Sequence, residues 1–531
     1  MNVCGMTVKQ KIGQRFAIGF SGTKASAELC RLVREYKVGN VILFGDNLES
    51  ASQARALCRD IQELVRGETG YPAFIAIDQE GGSVTRLPPD MVNVPGAMAL
   101  ASTGKPDNVF LAAQITAAEL RRIGVNLNLA PVLDINCNKD NPVIGNRSYA
   151  TAAERVVPFA AAAIRAYEEA GLMCCGKHFP GHGDTAVDSH LALPLVNRKQ
   201  EELDARELVP FRAAVAAGIP AIMTTHILFP QLENERLPAT MSGKILKGLL
   251  REKLGFDGLI LSDGMEMKAV KDFYGIPKGC ALALSAGVDI VFICHESPDM
   301  EASLREINTA CEKDSFDAGE FDDSVERILW YKEQYAAFGL DAEEETVEDI
   351  SRRKEQNAAL MQIALASREN GKAPPPLSER PFFAGSLACR PTLASSSQDS
   401  LSFAQWFAKK FGGSFHETPV NPNTDEIARI VSTLPEASSV VLGTCNGHLN
   451  RGQIDLAYAL FEAAQMRKIP FACLALQNPW DLSLLPPQAY GMALWEYSLK
   501  SFQAAAAVFR GECTPCGRFP EVKIISLNRL E

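Results

Sequence analysis

Residues 173–190 read Met-Cys-Cys-Gly-Lys-His-Phe-Pro-Gly-His-Gly-Asp-Thr-Ala-Val-Asp-Ser-His, and they gather three of the chain's seven histidines, His178, His182 and His190. Lys177, Asp184 and Asp188 lie in the same stretch. Pro180 lacks an N–H, and Gly176, Gly181 and Gly183 admit backbone angles that other residues avoid. The stretch therefore reads as the end of a buried strand followed by a polar loop in which Gly181 and Gly183 offer hinges. A loop with this density of titratable groups points to catalysis or substrate binding. Zinc is the competing chemistry, but His178 and His182 at i, i+4 share a face only on a helix, and Pro180-Gly181 between them rules a helix out. No metal and no cofactor is expected.

The elements that must position these groups are short apolar runs. They fall near 15–20, 39–44, 71–78, 125–131, 172–178, 219–226, 258–263 and 288–294. Helical patterns alternate with them, near 24–36, 51–66, 109–123, 151–170, 202–217, 243–253, 277–286 and 318–335. Continuous rather than alternating apolar runs mean strands covered on both faces, as in parallel sheets. Eight such units over about 335 residues count out an α/β fold with an N-terminal (β/α)8 barrel, with an open doubly wound sheet as the competing arrangement. Asp78, Lys177-His178, His226, Asp263 and His295 all fall at or just past strand ends, and Asp134 a few residues beyond one. In a barrel those ends meet at one mouth.

We expect the barrel to occupy residues 1–340, a linker with a helix 341–376, and a smaller α/β domain 377–531. The linker opens on the acidic run 341–349 and ends on Pro374-Pro375-Pro376. In the smaller domain strands are expected near 438–443, 470–476 and 491–495, and Cys445-Asn-Gly-His448 reads as a turn or a ligand loop.

At 531 residues and a net charge of −11 with no basic block, the chain does not suit nucleic acid or an anionic membrane surface as main partner. No run approaches 18 uninterrupted apolar residues. The first residues show no apolar h-region or cleavage site, and the 14 cysteines form no framework. The expectation is reduced thiols in a cytoplasmic protein. Cys513-Thr-Pro-Cys516 lacks the second pair a zinc site needs.

Phosphate-cradling Gly-rich motifs and a Gly-x-Ser-x-Gly elbow are missing. Carboxylates (Asp78, Asp188, Asp263), Lys177, Arg86, Arg147 and histidines remain. They suit a nucleophilic or charge-stabilising carboxylate beside a separate acid/base, with cations that grip hydroxyl groups. That is equipment for a sugar.

The chain resembles glycoside hydrolase family 3, in its β-N-acetylglucosaminidase branch. The resemblance rests on Ile77-Asp-Gln-Glu-Gly-Gly82 with Arg86, Leu129-Ala-Pro-Val-Leu-Asp134 and Ile144-Gly-Asn-Arg-Ser148. It continues through Lys177-His-Phe-Pro-Gly-His-Gly-Asp-Thr185 with Asp188-Ser-His190, Met223-Thr-Thr-His226 and Leu261-Ser-Asp-Gly-Met-Glu-Met267. Over the second domain it is looser, limited to features such as Gln477-Asn-Pro-Trp-Asp481. The resemblance implies a catalytic trio: Asp263 as nucleophile, His190 as general acid/base, and Asp188 orienting the imidazole. It implies that Asp78, Arg86, Arg147, Lys177 and His178 bind the sugar. The implied activity is a retaining exo-β-N-acetylglucosaminidase acting on small N-acetylglucosamine-containing glycosides, muropeptides among them, in cell-wall recycling. Alternatives are a phosphorylase using the same site, a β-glucosidase or β-xylosidase of the family, and a sugar-binding protein on an enzyme-derived barrel. Ser83 departs from the family, where many relatives carry arginine.

Overall fold

The computed structural model describes residues 3–185, 193–336, 345–369, 371–387, 395, 401–434 and 436–519. Eight parallel strands close into a barrel: β1 (Phe16–Ile18), β2 (Asn40–Leu43), β3 (Phe74–Ile77), β4 (Leu127–Asn128), β5 (Met173–Phe179), β6 (Ala221–Thr224), β7 (Leu259–Gly264) and β8 (Ile290–Ile293). Parallel pairing of β8 with β1, through Phe16 and Val291, completes the ring. The enclosing helices begin and end where local chemistry allows. Ser26 and Ser50 cap the N-termini of helices Ala27–Tyr36 and Ala51–Thr69, and Gly70 and Gly124 close two C-termini in the left-handed conformation.

Alternation along the strands sorts their side chains into two layers. Ala17, Ile42, Phe74, Ala76, Leu127, Met173, Cys175, Ala221, Met223, Leu259, Leu261, Ile290 and Phe292 fill the interior. Ile18, Val41, Ile75, Ile77, Cys174, Ile222, Ile260 and Val291 belong to the larger core against the helices. Extending the inward series by one step reaches Phe44, Asp78, Lys177, Asp263 and Cys294, the top layer of the barrel.

The second domain holds a six-stranded sheet. Its strands are β9 (Ala366–Ser367), β10 (Pro381–Ser386), β11 (Ser414–Thr418), β12 (Ser439–Thr444), β13 (Phe471–Ala475) and β14 (Tyr490–Ala493). Their spatial order is β11-β10-β12-β13-β14-β9, parallel except for the antiparallel edge strand β9. Helix Val347–Ala364 joins the two domains. Its Arg353 reaches Glu119 of the barrel at 2.9 Å, while Met361 and Ala364 enter the second core.

Several elements differ from the sequence expectation. The helix expected over 202–217 breaks into Gln200–Ala205 and Leu208–Ala216. An additional helix, Pro298–Glu312, follows β8 before Ala318–Tyr335. β10 and β11, and helix Phe403–Phe411 between them, went unanticipated. No helix among the described residues is long and apolar enough to cross a membrane.

Candidate active site

The C-terminal ends of the strands open into a cavity of about 1020 Å³ whose lining includes Phe44, Asp78, Glu80, Arg86, Arg147, Lys177, His178, His182, Asp263, Glu266 and His295. Six of the eight residues expected at the site therefore meet in one place: Asp78, Arg86, Arg147, Lys177, His178 and Asp263. The other two, Asp188 and His190, lie outside the described residues.

One wall is a buried ionic cluster. Lys177 Nζ donates to Asp78 Oδ1 at 2.6 Å and lies 2.7 Å from Glu80 Oε1. Arg147 clasps Glu80 in a two-pronged pair, Nε to Oε2 at 2.8 Å and Nη2 to Oε1 at 2.7 Å. Burial works against every charge here, raising the Glu80 carboxyl and lowering the two cations. The charges of Arg147 and Lys177 override it on Glu80 and hold that carboxyl well below the carboxylate range. The same balance leaves Lys177, facing Asp78 and Glu80, above the ordinary lysine value, and Arg147, facing Glu80, above the ordinary arginine value. At neutral pH Glu80, Lys177 and Arg147 are therefore ionised, with their hydrogen-bonding groups fixed in direction.

Asp134, 1% exposed, organises the next wall. Its Oδ2 accepts from His178 Nδ1 at 2.6 Å and from the His178 N–H at 3.1 Å, and its Oδ1 accepts from the His182 N–H at 2.6 Å. Burial and the neighbouring His178 push His182 down to about 4, so its ring is neutral at pH 7. Asn141 Nδ2 adds bonds to the carbonyls of His182 (2.9 Å) and Gly183 (3.0 Å). Gly183 is not a hinge: a Cβ there would lie 1.7 Å from the Ile135 carbonyl oxygen, so glycine is required for the two loops to meet. The segment that leads toward Asp188 and His190 thus leaves from an anchored base.

Asp263 ends the inward series of β7, and its Oδ1 accepts from the Gly264 N–H at 2.8 Å. Arg86 enters from the β3 loop with its guanidinium over the Phe44 ring, 5.6 Å from the centroid. Its buried Nε finds no hydrogen-bond partner among the described residues. Burial, followed by the negative charges of Glu266, Asp263 and Asp78, keeps the Cys294 thiol protonated.

Two expectations change. His226 does not line the cavity; it is fully buried behind the wall, donating from Nε2 to the Gly264 carbonyl at 3.1 Å. Its parity explains this, because Ala221 and Met223 point inward and His226 falls on the other face. Glu80, Asp134 and Glu266 matter more than the sequence reading assigned. Glu80 and Asp134 each sat inside a motif already noted, and Glu80 was legible as the anion that Lys177 and Arg147 require.

The second domain braces the loops behind this site. Lys500 Nζ donates to the carbonyls of Asn93 (2.8 Å) and Val94 (2.7 Å), and the Gly96 N–H donates to Glu496 Oε2 at 3.4 Å. Asn146, next to Arg147, donates to the Trp495 carbonyl. In that domain Cys445-Asn-Gly-His448 forms a turn, with His448 Nδ1 2.9 Å from Asp481 Oδ1.

Comparison with known proteins agrees with this geometry. Residues 7–330 match the glycosyl hydrolase family 3 N-terminal domain. The chain is 34% identical over 320 residues to β-hexosaminidase A of Pseudoalteromonas piscicida, covering 54% of each, so it spans about half the length of that relative. It is 38% identical over 286 residues to the β-hexosaminidase of Tolumonas auensis, covering 53% of this chain and 83% of the relative. A solved family 3 β-N-acetylglucosaminidase from Paenibacillus sp. str. FPU-7 superposes with a TM-score of 0.87 at 34% identity, covering 97% of this chain and 99% of the other. A carboxylate and a fixed ionic wall at a barrel mouth, on a chain with these relatives, have one reading: this protein belongs to glycosyl hydrolase family 3 and is a glycoside hydrolase.

Proposed function

We propose that this hydrolase is a retaining exo-β-N-acetylglucosaminidase that releases terminal N-acetylglucosamine from small glycosides, peptidoglycan fragments in the cytoplasm among them. The observation that carries the reading is the placement of Asp263 in one cavity with the Asp78–Lys177–Glu80–Arg147 wall and His178. Oriented carboxylates and cations bind sugar hydroxyls, which accept and donate at once. The preference for an N-acetylated sugar rests on the relatives named β-hexosaminidase and β-N-acetylglucosaminidase.

In this reading Asp263 attacks the anomeric carbon, the bond to the leaving oxygen breaks, and the His190 imidazolium gives that oxygen its proton. A water then attacks the same carbon. His190 takes the water's proton, and the bond to Asp263 breaks to release the sugar with its configuration retained. Asp188, two residues from His190, holds and orients the imidazole, whose ordinary pKa of about 6.5 suits both tasks. Arg86, Asp78, Lys177, Arg147 and His178 fix the ring, which supplies the positioning part of the rate.

The test is release of p-nitrophenol from its β-N-acetylglucosaminide by wild type and Asp263→Ala, with and without phosphate. We expect turnover to fall by at least about 10³-fold in the variant and the product to be the free sugar. A sugar 1-phosphate product would move the label to phosphorylase. Preference for the glucoside or xyloside would overturn the N-acetyl assignment, and release of N-acetylglucosamine from muropeptides tests the peptidoglycan part.

A further inference from the structure

The ionic wall described above belongs to the loops of β3, β4 and β5. Across the mouth, where β7, β8 and β2 end, the cavity has a different surface. Phe44, the inward residue that follows β2, stacks with His295, which follows β8, at a centroid separation of 5.0 Å and 29° between planes. Strand β1 runs between those two strands, and its inward position above Ala17 is Gly19. A Cβ on Gly19 would lie 1.8 Å from the Cys294 carbonyl oxygen, so only glycine lets the chain after β1 pass against the residue that precedes His295.

His295 is unusual for its exposure. Its side chain is 71% exposed, yet it is fixed on two sides. Glu266 Oε1 accepts from its Nδ1 at 2.9 Å and from the Cys294 N–H at 2.9 Å, so the carboxylate is itself tethered to the strand that carries the imidazole. The hydrogen bond with Glu266 raises the His295 pKa. Arg86 covers part of Phe44, leaving His295 as the ring that faces the open cavity. Surface imidazoles are ordinarily free to rotate, and immobilising one costs entropy. Such a pre-set ring at the rim of a cavity is a contact surface in waiting.

The cavity's size says how much can lie on it. At about 1020 Å³ it stands at the top of the range of about 300–1,000 Å³ that accommodates drug-sized ligands. That is more than a single sugar ring gripped by the ionic wall requires.

We infer that Phe44 and His295, the latter held by Glu266, form the subsite for the leaving group, and that the leaving group it takes is a second pyranose lying with its C–H face on the His295 ring. The inference rests on the glycosidase reading above and deepens it. The chemistry is apolar contact and dispersion between a flat ring held in place and the C–H bonds of a pyranose face, where many small attractions add. A flat sugar face offers several such bonds at once, whereas a small leaving group offers none. Glu266 is a positioning residue in this arrangement and does not touch the sugar.

The experiment compares two substrates with the same glycone. N,N′-diacetylchitobiose presents a pyranose leaving group, and N-acetylglucosaminyl β-azide presents one too small to reach the platform. The readout is the ratio of kcat/KM on the disaccharide to kcat/KM on the azide. In His295→Ala and in Phe44→Ala this ratio is expected to fall about tenfold, and in His295→Phe, which keeps a ring, to stay within about threefold of wild type. An unchanged ratio in both alanine variants overturns the inference, as does a His295→Phe variant as impaired as His295→Ala. A wild type that cleaves the azide and leaves the disaccharide intact overturns it while the glycosidase reading stands. If neither substrate is cleaved, the two fall together.

Discussion

Two lysines are buried at opposite ends of the barrel, and their pKa values move in opposite directions. Lys177, 2% exposed, ends the inward series of β5 at the mouth. Lys332, 0% exposed, comes from helix Ala318–Tyr335. It donates to Gln14 Oε1 at 2.6 Å and the Gly39 carbonyl at 2.9 Å, with Nζ 5.6 Å from the centroid of Phe74, an interior residue of β3. Burial lowers the pKa of both. At Lys177 the carboxylates of Asp78 and Glu80 more than reverse it; at Lys332 no carboxylate opposes it, and the pKa lies well below the lysine value. The difference teaches that burial does not decide whether a lysine is an ion. Between these two, the difference lies in the carboxylates: Lys177 has two beside it and Lys332 has none among its hydrogen-bond partners.

If the contrast holds, Lys177→Met should show the largest effect. It leaves Glu80 and Asp78 short of a partner in a buried wall, where breaking one side of an ion pair costs about 3–5 kcal/mol. We expect kcat/KM on an N-acetylglucosaminide to fall by about 10²–10³-fold, with a lowered Tm. Activity within a few fold of wild type would reduce the cluster to scaffolding.

Next comes Glu80→Gln, which keeps the shape and removes the anion that Arg147 and Lys177 share. A loss of about 10–100-fold in kcat/KM is expected, carried mainly by KM. The variant also has a pH signature. The folded Glu80 pKa lies below its ordinary 4.5, so its contribution to stability is complete above that value and drains away as pH falls toward the folded value. Thermal melts in the acidic range should therefore bring the two proteins together as pH drops, the wild type losing the larger amount. Parallel curves would mean that Glu80 is not held as an anion.

A smaller change is expected at the seam between domains. Lys500 reaches Asn93 and Val94, on the loop that also carries Glu80 and Arg86, and makes a 3.1 Å pair with Glu496. Lys500→Met should raise KM by about threefold with kcat nearly unchanged, because loosening a supporting loop displaces binding groups more than it alters the chemistry. A loss confined to kcat would mean that the second domain acts on the reaction itself.

The barrel was legible because its strands are covered on both faces and read as unbroken apolar runs. Strand ends alone, however, could not separate groups that face the cavity from those behind it. Period two could. Counting Phe74, Ala76, Asp78, or Leu259, Leu261, Asp263, selects the inward carboxylates, and the same count along Ala221 and Met223 excludes His226. Glu80 escaped because it stands in the turn beyond β3, where no period operates and only the demand for a counter-charge to two buried cations marks it. In the second domain β11 escaped for another reason: as an edge strand with four of its five residues at least partly exposed, it lacks the apolar run that announces a strand. β10, preceded by Pro374-Pro375-Pro376 and carrying Gly385 and Ser386 at its end, is a strand more by its neighbours' pairing than by its own composition.

Lys332→Met carries the smallest expected change in activity and the sharpest test of the contrast. Nothing at the barrel mouth touches Lys332, so kcat/KM should stay within about twofold. Stability should respond, because Gln14 Oε1 and the Gly39 carbonyl lose their donor, at a cost of about 1–3 kcal/mol. The pH dependence of that difference reports the charge. With the folded pKa depressed below 10.5, the folded chain gives up this proton at a lower pH than the unfolded chain, so wild-type stability rises with pH from the folded pKa until the unfolded lysine titrates. The variant has no such group. The advantage of wild type over Lys332→Met should therefore widen as pH rises from the folded pKa toward 10.5, by up to about 1.4 kcal/mol per pH unit. A constant difference would show that Lys332 stays protonated in the fold, and the two lysines would then differ in their partners but not in their charge.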